Sequence, residues 1–342
     1  MNGHRTRARR AAAIMAAGAF ALGATACSAS SSSGGGGGGS QKVAIVGFSV
    51  LKPGYDALAA AFKETPAGKG VGVSESFGAS GSQSKAVASG QPADYVGFSL
   101  EPDMTRLVPK FVDASWNKGA TKGIGSTSVV VIAVRPGNPL HIKGWDDLIK
   151  PGVKIVTPNP ATSGSAKWNI LGAYSHGLHK GGTAAAKSYL AKFFAHVVSK
   201  PDSGADATTA FLAGTGDVLI SYENEAIAAR QAGKKLDYVV PSDTFKIENP
   251  VAVTKSASPA AKKFLSFVQS DAGQKVLAGV GFRPLNAADV PAKIEGANNP
   301  TNPFPKVSQL ETISDLGGWS TVDTKFFDEK TGIVTKIEEG NG

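Results

Sequence analysis

Thr157-Pro-Asn-Pro-Ala-Thr-Ser-Gly-Ser-Ala-Lys-Trp-Asn169 carries more structural instruction than any other run in the chain. It follows an apolar segment, Val153 to Val156, that reads as a buried strand. It leads into a helical pattern in which Trp168, Leu171 and Ala173 face inward. Two prolines stiffen the entry and stop the strand. Thr162-Ser163-Gly164-Ser165 then opens the helix with small hydroxyl residues, the usual N-cap types. A helix start presents free backbone N–H groups and the positive end of the helix dipole. Gly164 lets a ligand approach the backbone, and the two serines add hydroxyl donors. The stretch therefore reads either as a well-capped helix after a turn or as a holder of an oxyanion.

A second stretch repeats this arrangement. Ser76-Phe-Gly-Ala-Ser-Gly-Ser-Gln83 lies between a strand-like run, Val71 to Ser74, and a helix-like run, Ser84 to Ser89. Asp202-Ser-Gly-Ala-Asp206 is a third small-residue turn, before a helix from Ala207 to Ala213. Strand-to-helix turns of one kind, far apart in sequence, suggest separate walls of one anion site.

The chain of 342 residues is long enough for two domains with their own cores. The formal charge is +9, but Arg5, Arg7, Arg9 and Arg10 fall in a segment expected to be removed, which leaves +5. No Lys/Arg block or aromatic-basic interleaving occurs, which argues against nucleic acid as a partner. Residues 1–26 read as a secretory signal: four arginines, an apolar run from Ala11 to Leu22, and a small-residue cleavage site. Cys27, the only cysteine of the sequence, follows directly, in the manner of a bacterial lipoprotein whose cysteine is lipidated. A lone cysteine cannot form an internal disulfide. Residues 28–40 are almost pure Ser and Gly and read as a flexible tether with a reach of roughly 20 Å.

From Gln41 onward the order is strand (43–48), helix (55–62), strand (71–74), helix (84–89), strand (93–98). That order implies a parallel sheet covered by helices, with ligands at the carboxyl ends of its strands. Ser126 to Val134 is a β-branched central strand, Trp145 to Ile149 a short helix, and Ala184 to Val198 an amphipathic helix. Strands at 216–222 and 238–241 follow. Asn249 to Val253 is read as crossing back to the first domain. Helices are expected at 259–269 and 271–280, with light helicity at 307–315 and 321–327. His176 and His179 share a helix face and read as a solvated pair.

Val156-Thr-Pro-Asn-Pro through Asn169, Gly78-Ala-Ser-Gly81, Asp217-Val-Leu-Ile-Ser-Tyr-Glu-Asn-Glu-Ala226 and Phe282-Arg-Pro284 together resemble bacterial sulfate-binding proteins of ABC importers. Val134 to Pro139, Trp145 to Gly152 and Asp315 to Trp319 extend the resemblance to most of residues 41–330. It implies an α/β, two-lobed periplasmic-binding-protein-like fold of type II. Each lobe is a mostly parallel sheet with flanking helices. The expected division is 41–123 plus 250–342 for lobe 1 and 124–249 for lobe 2, with hinges near 122–126 and 248–251.

The resemblance also implies a site made of backbone N–H groups and hydroxyls. Ser80, Gly164, Ser165 and Ala205 supply N–H groups, and Ser163 supplies both N–H and hydroxyl. Tyr222 stands where the family often has a Trp. Ser49, Gly81, Lys167 and Asp103 are the supporting residues, Lys167 in place of a usual Arg. Asp206 also sits where an Arg is common, and an acid there repels an anion if it points inward. The implied role is capture of sulfate or thiosulfate for an importer permease, by a monomer with no cofactor. The alternatives are molybdate, tungstate or phosphate as the ligand, or a serine-dependent ester hydrolase. Against an enzyme, the sequence contains no Gly-x-Ser-x-Gly, no His-Glu-x-x-His and no P-loop.

Overall fold

The computed structural model describes residues 41–340; the expected signal segment, Cys27 and the tether lie outside the described residues. Regular elements follow the apolar pattern closely. The N-terminal part runs β1 (Lys42–Phe48), α1 (Lys52–Lys63), β2 (Gly72–Gly78), α2 (Ser80–Ala88), β3 (Tyr95–Gly97) and α3 (Glu101–Thr105). The middle part holds β4 (Ile124–Val134), β5 (Ile155–Val156), α4 (Gly164–Ala195), β6 (Val197–Ser199), α5 (Gly204–Leu212), β7 (Val218–Tyr222), α6 (Glu223–Gln231) and β8 (Asp237–Val239). Then come β9 (Asp243–Val253), α7 (Pro259–Val268), α8 (Asp271–Gly279), β10 (Gln309–Glu311), α9 (Trp319–Val322) and α10 (Ile333–Glu338).

The strands form two half-sheets spliced by two long strands. β1 pairs in parallel with both β2 and β3, as the alternating order of strands and helices requires. β9 closes this half antiparallel to β3, through Val251–Val253. In the second half β5 pairs in parallel with β6 and β7, and the Val130–Val134 end of β4 lies antiparallel to β7. Between the halves, Ser126–Val129 of β4 pair antiparallel with Lys246–Asn249 of β9. The strands that join the lobes are thus hydrogen-bonded to each other.

β4 is buried on both faces, as its unbroken β-branched run predicts. Around the first half, Phe264 of α7 meets Tyr55 and Tyr95 edge-on, and those two phenols are linked at 2.7 Å. In the second half, Trp168, Leu171 and Ala173 are fully buried on α4, as expected from their spacing.

Four local readings change. Ser76 to Gly78 continue β2 instead of turning, because Val46, Gly47 and Phe48 of β1 supply partners for them. The strand expected at 93–98 shortens to Tyr95–Gly97, and Glu101 to Thr105 beyond it wind into a short helix with Pro102 near its start. The helices expected on either side of residue 181 are both present, the two arms of α4, and they part at Gly181 and Gly182, whose backbone is not helical. Val197 and Val198 belong to strand β6, recruited by β5. Residues 309–311 form a strand rather than a helix, because the start of β9 offers a parallel partner.

The C-terminal residues depart from the expected division of the chain, which placed 250–342 in lobe 1. The contacts of 309–340 run largely to elements between 124 and 249. Trp319 packs edge-on against Trp168 with centroids 4.8 Å apart, and Phe326 against Tyr174 at 4.6 Å. Lys200 pairs with Glu338 at 2.6 Å.

Candidate functional site

Four helices begin at the seam between the lobes: α2 from the first, and α4, α5 and α6 from the second. A helix start leaves several N–H groups without intrahelical partners, and most helices cover them with a side chain. On α7 and α8 this is what happens, with Ser258 and Ser270 accepting from Ala261 and Gly273. At the seam α5 follows suit, Ser203 accepting from Asp206 N–H, but the other three do not, nor do α1, α3, α9 and α10. Ala79, Ser163 and Tyr222 occupy the N-cap positions of α2, α4 and α6, and none makes a side-chain cap bond. The serine of α4 has the chemistry to cap and does not; its N–H, expected as a ligand donor, is instead given to Asn159 O at 2.9 Å, while its hydroxyl and the N–H groups of Gly164 and Ser165 stay available to a ligand.

The predicted residues come together. Ser80, Ser163 and Ser165 are 2–3% exposed and Tyr222 is fully buried. Gly81 N–H donates across the seam to Thr162 O at 3.2 Å. Ala205 N–H donates to Ser49 Oγ at 3.4 Å, a second link between lobes. A Cβ placed on Gly164 would lie 2.6 Å from Ser99 Cβ, and one on Gly204 would lie 2.7 Å from Val50 Cγ2. These glycines permit the close approach. The lobes are therefore shut over the expected anion position.

The supporting residues divide. Asp103 is buried and accepts from the Ser80 hydroxyl at 2.6 Å, while Arg106 neutralises it at 2.8 Å. The Ser80 hydroxyl is thereby engaged, and only its backbone N–H is left for any ligand. Lys167 pairs with Asp323 at 2.8 Å and lies over the Phe327 ring at 4.7 Å, so it braces the C-terminal segment. Asp206 is exposed and turned back on its own cap: its carboxylate accepts from Ser203 Oγ at 2.6 Å, and its N–H donates to that oxygen at 3.2 Å. The acid at the third turn therefore does not face the seam. A cleft of about 360 Å³ opens beside Gly81, Ser163 and Gly164, lined by both signs of charge: Lys85, Arg106 and Lys167 with Asp103, Glu329 and Glu338.

Two groups that the sequence left unassigned belong to this region. Ser99, at the end of β3, has its hydroxyl 2.8 Å from that of Tyr222, and its carbonyl accepts from the Trp168 indole N–H at 2.9 Å. The carboxyl-end rule for parallel strands was the available signal. Burial pushes the Tyr222 phenol far above its usual range, with the Ser99 and Ser165 hydroxyls partly opposing, so it is a neutral hydroxyl. Behind it, fully buried Glu223 is held by Arg283 at 2.6 and 3.1 Å. Burial raises the Glu223 carboxyl more than Arg283 lowers it.

The histidines form a separate cluster. His176 is buried rather than solvated, with Nδ1 2.6 Å from Asp243 and Nε2 2.9 Å from Asp146. His179 lies 2.6 Å from Glu311. Among the described residues no group of His, Cys, Asp and Glu has the geometry to hold a metal ion.

Residues 43–283 match the family model for bacterial extracellular solute-binding proteins. A sulfate-binding protein of Synechococcus elongatus is 35% identical, the match covering 87% of each chain. A thiosulfate-binding protein of Pseudomonas aeruginosa is 32% identical, over 88% of this chain and 93% of that one. Among solved structures, the sulfate-binding protein SubI of Mycobacterium tuberculosis superposes with a TM-score of 0.79 at 45% identity, covering 84% of this chain and all of that one. With its two half-sheets, its shut seam and these matches, the chain belongs to the bacterial extracellular solute-binding proteins.

Proposed function

We propose that this protein captures sulfate or thiosulfate outside the cytoplasm and delivers it to the permease of an ABC importer. The observation that carries the reading is the set of uncapped helix starts meeting at one buried seam, in a chain related to sulfate- and thiosulfate-binding proteins. A buried dianion is costly unless each oxygen is hydrogen-bonded. Amides of Ser80, Gly164 and Ser165, with the Ser163 and Tyr222 hydroxyls, supply such donors without a paired cation, and the Ala205 amide joins them by leaving Ser49 Oγ. Sulfate carries no proton near neutrality, whereas phosphate keeps at least one. A site dominated by donors therefore favours sulfate, by roughly 1–3 kcal/mol for each proton left unpartnered.

The working form in this reading is a monomer with no cofactor, acting as a binder rather than an enzyme. Cys27, once lipidated, holds it at the outer face of the cytoplasmic membrane through the Ser/Gly tether. Titration calorimetry with sulfate, thiosulfate, phosphate and molybdate tests the ligand, and sulfate is expected to bind tightest. Phosphate displacing sulfate at similar concentration ends the selectivity. For the anchor, Cys27→Ser is expected to move the protein from the membrane fraction to the medium or periplasm; unchanged fractionation overturns that part.

A further inference from the structure

The C-terminal segment, packed on the second lobe, reaches the seam through Trp319. Its contact there is Trp168, fully buried near the start of α4, which donates its indole N–H to Ser99 O of the opposite lobe at 2.9 Å. The other donor to that carbonyl, the Asn249 amide, stands at 3.4 Å. An indole has one donor and no acceptor, so its polar use is fixed by where the ring is aimed. Two rings aim it. Phe245 of β9 lies tilted against it with centroids 5.7 Å apart, and Trp319 meets it edge-on, at 4.8 Å and 78°.

The backbone delivers Trp319 by an unusual route. Gly317 and Gly318 before it both take positive φ, +87° and +86°, a path that residues with side chains rarely follow. A turn further on, Asp323 pairs with Lys167 at 2.8 Å. Neighbouring residues of α4, Lys167 and Trp168, are thus held by one short stretch of the C-terminal segment. Trp319 also borders a cavity of about 1030 Å³, which it shares with Glu101 and Trp116 of the first lobe and with Thr127 and Glu248 of the strands that cross between the lobes. Because its walls come from both lobes, opening must reshape this cavity. Trp319 stands between it and the indole that spans the seam.

We propose that Trp319 is a positioning residue for closure: through its edge-on contact it holds the Trp168 indole on the line to Ser99 O, and so stabilises the shut form over the open one. The inference rests on the protein closing over sulfate, and it adds no contact to the ligand itself.

The test is a double-mutant cycle read by titration calorimetry with sulfate, on the wild type, Trp319→Leu, Trp168→Phe and the double variant. Phe keeps a ring at position 168 and removes the N–H. Thermal melts of the ligand-free proteins report folding separately. A contact that only fills space is shared by the open and shut forms, so losing it lowers the melting temperature and leaves the affinity alone. Trp168→Phe is expected to weaken sulfate about tenfold, the worth of one buried hydrogen bond. Trp319→Leu is expected to weaken it about fivefold where the indole is present and by less than about twofold beside Trp168→Phe. Trp319→Phe, which keeps an aromatic edge, is expected to lose about threefold, again only where the indole is present, and it carries the cycle if Trp319→Leu does not fold. Equal losses in both backgrounds, or a lowered melting temperature with sulfate affinity unchanged, overturn the positioning role while the binding reading stands. A wild type that binds neither sulfate nor thiosulfate overturns that reading, and this inference with it.

Discussion

At Gly164 the absence of a side chain is what lets two lobes touch. Gly164→Ala places a methyl 2.6 Å from Ser99 Cβ and 2.8 Å from Leu100 Cγ, both on the opposite lobe. Overpacking of this order costs about 1–3 kcal/mol. It falls on the shut form alone, so sulfate affinity is expected to drop about ten- to a hundredfold while the ligand-free melting temperature stays put; calorimetry and a thermal melt check both halves. Arg283 shows the opposite case. Its removal leaves Glu223 buried without its partner, and Arg283→Met is expected to destabilise the fold by about 3–5 kcal/mol in urea unfolding. Single positions were unevenly legible from sequence. Ser163, Gly164 and Ala205 sit at turns whose composition announces a helix start, and they were readable. Ser99 was not, because its role comes from Tyr222 and Trp168, which are distant in the chain. The direction in which Lys167 and Asp206 point was equally hidden: each is decided by its partner, Asp323 for one and Ser203 for the other.

Among elements, α4 does two jobs along one rod. Its first turn faces the seam, and three turns later His176 ties it to β9 through Asp243 and to the short turn at 145–149 through Asp146. Burial lowers the affinity of this imidazole for its second proton, but hydrogen bonds and charge from Asp243 and Asp146 outweigh that and raise its pKa above the ordinary 6.5. A raised folded-state pKa adds stability that is fully present below the unfolded value and is lost as pH rises through the folded one. The melting-temperature advantage of the wild type over His176→Gln is therefore expected to be greatest in mildly acidic buffer and to shrink as pH climbs past neutrality. An advantage that grows with pH would refute the cationic pairing. Periodicity placed the helices at 259–269 and 271–280 because their apolar faces and serine caps are local signals. It failed at 309–311, where a three-residue strand exists only because β9 offers an edge. It also made His176 a surface residue, since neither carboxylate that buries it lies nearby in sequence.

For the whole molecule, closing on a ligand should appear as added stability. A ligand at a hundred times its Kd contributes about 2.7 kcal/mol, so sulfate is expected to raise the melting temperature of the wild type and to raise it far less in Gly164→Ala. The Trp168 indole reports the same event, because its N–H donates across the seam to Ser99 O. A sulfate-induced change in tryptophan emission is expected in the wild type and should largely vanish in Trp168→Phe. Alternating strands and helices made the parallel sheets legible, whereas the two-lobed plan came from the resemblance to sulfate-binding proteins. The path of residues 309–340 onto the second lobe was not legible, since its aromatic anchors find their partners only after α4 has folded. One feature of the plan reaches furthest. β4 and β9 are stitched to each other where they pass between the lobes, with a register shift between Ile124 and Ser126. Flexing there must twist a paired ribbon rather than swing two loose cords, so the halves have few trajectories and one home position. After every release of cargo the amides would return to the same places, and successive turnovers would apply the same selectivity.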